Sequence, residues 1–276
     1  LSRMNEEMNK NQLFEKDSNI YYTIKKHPFY EEVEKYSLRK VLKSTIEQKK
    51  WGRNFSVLDL GCGNGTNSRI FREYTDSKIV GADLSEGMIH NAQTHSDSSN
   101  SSINYVLGDC ISGIETLSNT LKGEKFDMIA ACFVFNFAPT VDKLEKAIAD
   151  IKKYLLKEGG CILGIQPHLF GKLSHPVHMN DMGIGQLDKE MNVEKTVYAN
   201  DEDLYALMFE PGKFNKDGPF LIRVITKFYD FDCHKKAFDK VGMKFTIFPL
   251  EECETAKGKY DKDNVLDSYA HIFVAE

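Results

Sequence analysis

The stretch SVLDLGCGNGTNSRIF (Ser56–Phe71) constrains the fold more than any other part of the chain. A short apolar run ends at Leu60, glycines follow at Gly61, Gly63 and Gly65, and a helix-forming segment begins at Thr66. Glycines between a strand and a helix let the chain turn tightly. They also bring backbone amides against a ligand with no β-carbon in the way. A dinucleotide fingerprint reads G-x-G-x-x-G, whereas this stretch reads G-x-G-x-G and carries Asp59 two residues ahead of the first glycine. A carboxylate there opposes a pyrophosphate and suits the ammonium group of a cationic ligand.

From this turn onward, short β-branched runs alternate with helical segments. Strands are expected at Ser56–Leu60, Lys78–Asp83, Ile103–Leu107, Phe126–Cys132, Gly160–Gln166, Met243–Pro249 and Tyr269–Ala275. Helices are expected at Thr66–Tyr74, Glu86–Thr94, Ile111–Leu121, Val141–Leu156 and Cys233–Val241, with an amphipathic helix over residues 29–50 before them. Strands joined by crossover helices make an α/β protein with a doubly wound, mostly parallel sheet. The last two strands have only a loop between them, Glu251–Ser268, which permits an antiparallel hairpin at one edge. Residues 1–50 read as an N-terminal helical cap and 51–276 as the main domain, while His95–Ser102 reads as a solvated loop. Residues 167–230 interrupt the alternation with many glycines and prolines and the strand-like FLIRVITKFYD. A structureless loop of that length does not suit a compact domain, so short elements of its own are expected there, serving as a substrate lid.

Composition narrows the function classes. The chain of 276 residues is 41% hydrophobic and 28% charged, enough to bury a full core. Its net charge of −5 lacks the basic excess of nucleic-acid binders, so a small or neutral substrate is favoured and nucleic acid is an unlikely partner. Cys62, Cys110, Cys132, Cys161, Cys233 and Cys253 form no C-x-x-C pair, which argues against a zinc knuckle or a disulfide framework. No run approaches the length of a membrane span and the N-terminus lacks an apolar signal core, so a cytoplasmic protein is expected.

Later strand ends add polar groups to the same edge of the sheet. IVGADLSEGMI ends its strand on Asp83, placed to bind a ribose diol, with Ser85 capping the next helix and Met88 facing back toward the ligand. YVLGDC ends on Asp109, suited to accept from an exocyclic amine, and FDMIAACFVFNFAP ends in an aromatic-rich turn. Ligands of open α/β sheets sit beyond the carboxyl ends of the strands, so these ends converge on one crevice. Through VLDLGCGNGT and VGADLSEGMI the chain resembles the class I S-adenosylmethionine-dependent methyltransferases. The resemblance covers Val57–Gln166, and the closing strands more loosely. The turn and helix after the fourth strand are similar to small-molecule enzymes of the toxoflavin-methyltransferase type. The resemblance implies a seven-stranded sheet with the last strand inserted antiparallel, and S-adenosylmethionine as cofactor. It implies Asp59, Gly61, Gly63 and Asn64 near the methionine moiety, Asp83 on the ribose, and Asp109 with Cys110 around the adenine. Leu84, Met88, Cys132 and Phe133 complete the expected cofactor set.

For the acceptor side, Asn136 and His168 are the candidate catalytic residues, and Tyr22, Phe135 and Tyr229 the candidate substrate contacts. His168 follows the fifth strand, where a pocket base or a solvent-facing loop histidine can stand. Tyr21, Tyr22 and Tyr30 precede the first helix, as a fold-over aromatic lid or as plain packing. The pair His175 and His178 has no acid or cysteine cluster beside it, so no metal is expected. The Asn-Pro-Pro-Tyr motif of amide and base methylation is absent, with FVFNFAP in its place. Methylation of an N, O or S atom of a small molecule is the leading reading. An RNA or protein methyltransferase and a non-catalytic cofactor-binding module are the alternatives, and the oligomeric state is left open.

Overall fold

The computed structural model describes residues 24–94, 103–167, 176, 179–182, 184–192, 198–216, 220–260, 265–266 and 269–276. A π-helical turn at Tyr30–Lys35 runs into α1 (Tyr36–Lys49). The chain then alternates through β1 (Val57–Leu60), α2 (Thr66–Tyr74), β2 (Ile79–Asp83), α3 (Glu86–Thr94), β3 (Ile103–Leu107), α4 (Ile114–Thr120), β4 (Phe126–Cys132), α5 (Val141–Asp150) and β5 (Leu156–Gln166). After β5 come β6 (Ile184–Asp188), β7 (Asp203–Met208) and β8 (Ile222–Lys227). The chain closes with α6 (Phe231–Lys240), β9 (Phe245–Pro249) and β10 (His271–Ala275).

The main sheet has seven strands in the order β3-β2-β1-β4-β5-β10-β9. The first five are parallel, as crossover helices dictate. β10 runs antiparallel between β5 and β9, pairing His271 with Gln166 on one side and with Pro249 on the other. Both faces are covered because successive side chains point to opposite sides. Val57, Ile79, Met128 and Ala130 pack on one side with Leu38 and Leu42 of α1 and Phe71 of α2. Leu58, Val80, Ile129 and Ala131 pack on the other with Leu117 of α4, Ile148 of α5 and Phe238 of α6.

Several element ends differ from the sequence expectation for local reasons. The Asp109 carboxylate accepts the N–H groups of Ile111 and Ser112 at 2.8 and 2.9 Å, and this turn delays α4 to Ile114. Asp230 caps α6 by accepting the Cys233 N–H at 2.8 Å, so that helix starts at Phe231. The expected helix Val141–Leu156 stops being α-helical at Asp150 and ends in a π-helical turn, Ile151–Leu155. Leu156 already pairs with Phe126, across a register shift, so β5 starts earlier than Gly160.

The segment after β5 folds into a separate three-stranded antiparallel sheet, β6-β7-β8. The Tyr229 hydroxyl, just past β8, donates to the Ala138 carbonyl at 2.8 Å and fastens the exit of this segment to the turn after β4. Among the described residues no helix is long and apolar enough to cross a membrane.

Candidate active site

A cavity of about 400 Å³ lies beyond the carboxyl ends of β1–β4. Its lower part is built by Gly61, Gly63, Asp83, Leu84, Met88, Asp109, Cys110, Cys132 and Phe133. Asp83 accepts the N–H groups of Gly63 and Ser85 at 2.8 and 2.9 Å, which holds the carboxylate rigid. Burial raises its pKa above the usual carboxylate range, and those backbone N–H groups pull the other way. Asp109 is held in the same manner, by the N–H groups of Ile111 and Ser112. A carboxylate pinned by backbone donors keeps outward lone pairs for a ligand's hydroxyls or amines. Ser85 caps α3 by accepting the Met88 N–H at 3.2 Å. Leu84 is 41% exposed, an apolar side chain laid open on the cavity wall beside these two acids.

The glycine turn suits a close ligand. Gly63 lies at φ +53°, and a β-carbon there would have no atom within 4 Å, so its side opens on free space. At Gly65 the added carbon would stand 2.3 Å from the Tyr105 hydroxyl, so that glycine serves packing. Phe133 has φ 57°, a strained conformation for a bulky residue. Its N–H donates to the Ile165 carbonyl at 2.8 Å. Burial drives the thiols of Cys62, Cys110 and Cys132 well above the ordinary range, so none is a ready nucleophile.

Other expected residues stand elsewhere. Asp59 is 1% exposed and accepts the Ser68 hydroxyl at 2.6 Å, tying β1 to α2 rather than lining the cavity. Burial pushes its pKa up to about 7. Asn64 accepts the N–H and hydroxyl of Thr66, and so shapes the start of α2. Phe135, expected against the substrate, is fully buried between Phe238 and Phe273 because α6 and β10 cover that side. Tyr229 is likewise fully buried and spends its hydroxyl on Ala138. Asn136 does line the cavity. Tyr21, Tyr22, His168, His175 and His178 lie outside the described residues. Among those described, no cluster of three metal-binding side chains occurs.

Two groups of lining residues escaped the sequence reading. The first is Lys25 and Tyr269, which stand beside Tyr30, itself expected as a lid aromatic or as plain packing. Lys25 forms an ion pair with Glu34 at 2.8 Å and sits 4.1 Å from the Tyr30 ring centre and 5.2 Å from that of Phe133. Tyr269 donates its hydroxyl to the same carboxylate. The second group is the roof, where Ile184 and Gln186 of β6, Ala206 and Met208 of β7, and Val224 and Thr226 of β8 share one face of the small sheet. Residues 167–230 are the expected substrate lid, but for these particular residues the only signal in the sequence is a period-two alternation in three short strands.

Residues 57–160 match a family described as methyltransferase domain. A ubiquinone biosynthesis O-methyltransferase of Coxiella burnetii is 31% identical over 115 residues, 42% of this chain and 44% of the relative. The chain thus spans less than half the length of that relative. An S-adenosylmethionine-dependent methyltransferase structure from Clostridium acetobutylicum superposes with a TM-score of 0.56 at 16% identity, covering 94% of this chain and 98% of that one. Magnesium protoporphyrin IX methyltransferase from Synechocystis PCC 6803, with bound S-adenosylhomocysteine, gives 0.51 at 12% identity over 88% and 82%. These structural likenesses concern the fold.

Proposed function

We propose that this chain, whose residues 57–160 match a methyltransferase domain family, is a class I S-adenosylmethionine-dependent methyltransferase and methylates an N, O or S atom of a small molecule held under the β6-β7-β8 sheet. The observation that carries this reading is one cavity bounded below by the glycine turn and strand ends and above by that sheet. A macromolecular acceptor needs an open face, whereas here a second layer covers the site.

S-adenosylmethionine supplies an activated methyl group on a cationic sulfur. The residues present fit it: Gly63 leaves room for a close approach, and Asp83 and Asp109 hold acceptor lone pairs toward the cavity. Asp83 would take the ribose diol, Asp109 and Cys110 the adenine edge, and Gly61 and Gly63 the methionine end. Leu84 and Met88 give apolar walls. The protein's main catalytic task is alignment of the acceptor atom, and effective molarity can supply roughly 7–11 kcal/mol of the barrier. Phe133, Tyr30 and Tyr269 pack ring against ring and line the cavity together with Cys132, giving it an aromatic wall. Tyr269, already hydrogen-bonded to Glu34, stands where it can accept a proton from an acceptor hydroxyl and pass its own on to that carboxylate.

Calorimetry with S-adenosylhomocysteine and NAD tests the cofactor half of this reading. Binding of the first and none of the second is expected, and the reverse result sinks it. Radiolabelled S-adenosylmethionine incubated with a small-metabolite extract tests the acceptor half. With a whole-cell extract added in parallel, label is expected in the low-molecular-weight fraction of both, and label confined to the RNA or protein of the whole-cell extract would overturn the substrate class.

A further inference from the structure

The roof of the cavity carries polar groups that no partner in the protein satisfies. Gln186 on β6 is 9% exposed and Thr226 on β8 is 2% exposed. Both line the cavity, yet the Gln186 Oε1 and the Thr226 Oγ1 have no hydrogen-bond partner. Asn136, in the turn after β4 that packs against β8, is 4% exposed, lines the cavity, and has an unpartnered Oδ1. Buried polar atoms in folded proteins are overwhelmingly paired, so three orphans around one cavity call for an explanation. All three atoms are almost wholly shielded from solvent. Each of these residues lines the cavity, so a ligand there lies beside its unpaired group.

Their arrangement describes a ligand. In the register of the small sheet, Gln186 pairs with Ala206, and Thr226 pairs with Leu204 on the far side of β7. The two polar groups therefore lie diagonally across β7, two strand spacings apart and two residues along the strands, roughly 11–12 Å from one another. Ala206 is the smallest side chain of that face, so a flat body fits against it, while Ile184, Met208 and Val224 extend the apolar surface. Phe133 and Phe137 also line the cavity. Charge is missing from this half among the described residues. Asp83 and Asp109 belong to the cofactor end, and Lys25 is neutralised by Glu34 at 2.8 Å.

We infer that Gln186, Thr226 and Asn136 determine acceptor specificity, and that they select an uncharged planar ring compound carrying hydrogen-bonding groups at two separated edges. This rests on the methyltransferase reading, since the orphaned groups mark an acceptor only if the lower cavity holds the methyl donor. A hydrogen-bonding site of this kind also rejects purely apolar analogues, because binding them leaves its own buried groups unpaired. Anionic analogues lose their hydration and find no counter-charge.

The test uses the full chain saturated with S-adenosylhomocysteine and three probes on one ring system: naphthalene-2,7-diol, naphthalene and naphthalene-2,7-dicarboxylate. Binding is read by titration calorimetry or by chemical-shift changes. The diol is expected to bind at least tenfold tighter than either of the others. Gln186→Leu with Thr226→Val should remove that preference while leaving S-adenosylhomocysteine affinity and the melting temperature near the parent values. Thr226→Val alone, a change of one hydroxyl for one methyl, should remove part of it and serves if the double variant does not fold. Tighter binding of the dicarboxylate, an unaltered diol preference in either folded variant, or no diol binding to a complex that does hold S-adenosylhomocysteine would overturn the inference. Failure of S-adenosylhomocysteine itself to bind overturns the methyltransferase reading, and the inference with it.

Discussion

The Asp83 carboxylate accepts the backbone N–H of Gly63 at 2.8 Å, so the end of β2 holds the glycine turn that follows β1. The same side chain accepts from Ser85 at the start of α3. One acid therefore links two of the strand ends that face the cofactor space. Asp83→Ala should lower S-adenosylhomocysteine affinity about tenfold or more, since charge-assisted hydrogen bonds are worth about 1.5–3 kcal/mol. Asp83→Asn keeps an acceptor for one of the two backbone donors and should fall between. Calorimetry on folded variants decides it, and unchanged affinity would remove Asp83 from the site.

Gly63 and Gly65 are predicted to fail differently. Alanine at Gly63 meets no atom within 4 Å, so it should leave the fold close to intact and weaken cofactor binding. Alanine at Gly65 collides with the Tyr105 hydroxyl at 2.3 Å and with the ring carbon behind it, so it should cost stability of about 1–3 kcal/mol. Both also pay for a positive φ, +53° and +77°. Thermal melting and ligand titration of the pair separate the two roles, and loss of stability without loss of affinity at Gly63 would refute the assignment.

The strand ends were legible because each couples an apolar run to a polar or glycine stop. Asp83 and Asp109 show in the sequence as the acids that end VGAD and VLGD, and the structure places both on the cavity. Asp59 shows the same pattern and yet faces α2, because the pleat sends alternate residues to opposite faces and the sequence does not say which. Phe135 and Tyr229 were misplaced for a related reason. Aromatics close to a site in sequence are equally good core residues, and α6 with β10 buries them. The roof was least legible. Its strands IGQLD, DLYALM and IRVITK alternate, but only their pairing shows that Gln186, Ala206 and Thr226 share a face. Lys25 and Tyr269 are brought together from opposite ends of the chain, a contact no local pattern announces.

Lys25 and Glu34 form a largely buried pair, with side-chain exposures of 14% and 5%. Removing one member of such a pair strands the other charge, at a cost of about 3–5 kcal/mol, whereas replacing both with uncharged groups is far milder. Glu34→Gln should therefore lower the denaturant midpoint sharply, and adding Lys25→Met should restore most of it. A double variant no better than the single would mean that Glu34 stabilises the fold through Tyr269 instead, the other donor to its carboxylate.

Two buried groups should give opposite pH dependences of stability. Burial lowers the pKa of His234 to about 4, and its ring nitrogen Nδ1 contacts the Asp230 carbonyl at 2.9 Å. Between about pH 4 and the ordinary histidine value near 6.5 the unfolded chain binds the extra proton, so stability falls as pH drops through that window. Asp59 is raised from 3.8 to about 7. Between these values the folded chain binds the extra proton, so its contribution is full below about pH 4 and is lost as pH rises through 7. Each slope approaches about 1.4 kcal/mol per pH unit, and in the parent protein the two largely cancel between pH 4.5 and 6.5. Asp59→Asn, which mimics the protonated acid toward Ser68, should therefore expose the histidine slope, with stability rising toward pH 6.5 and no decline above it. His234→Phe, set among Phe135, Phe245 and Tyr229, should expose the acid slope instead. Denaturant titrations of the three proteins from pH 4 to 8 read both slopes directly. Parallel profiles for parent and Asp59→Asn would show that Asp59 stays ionised across the range.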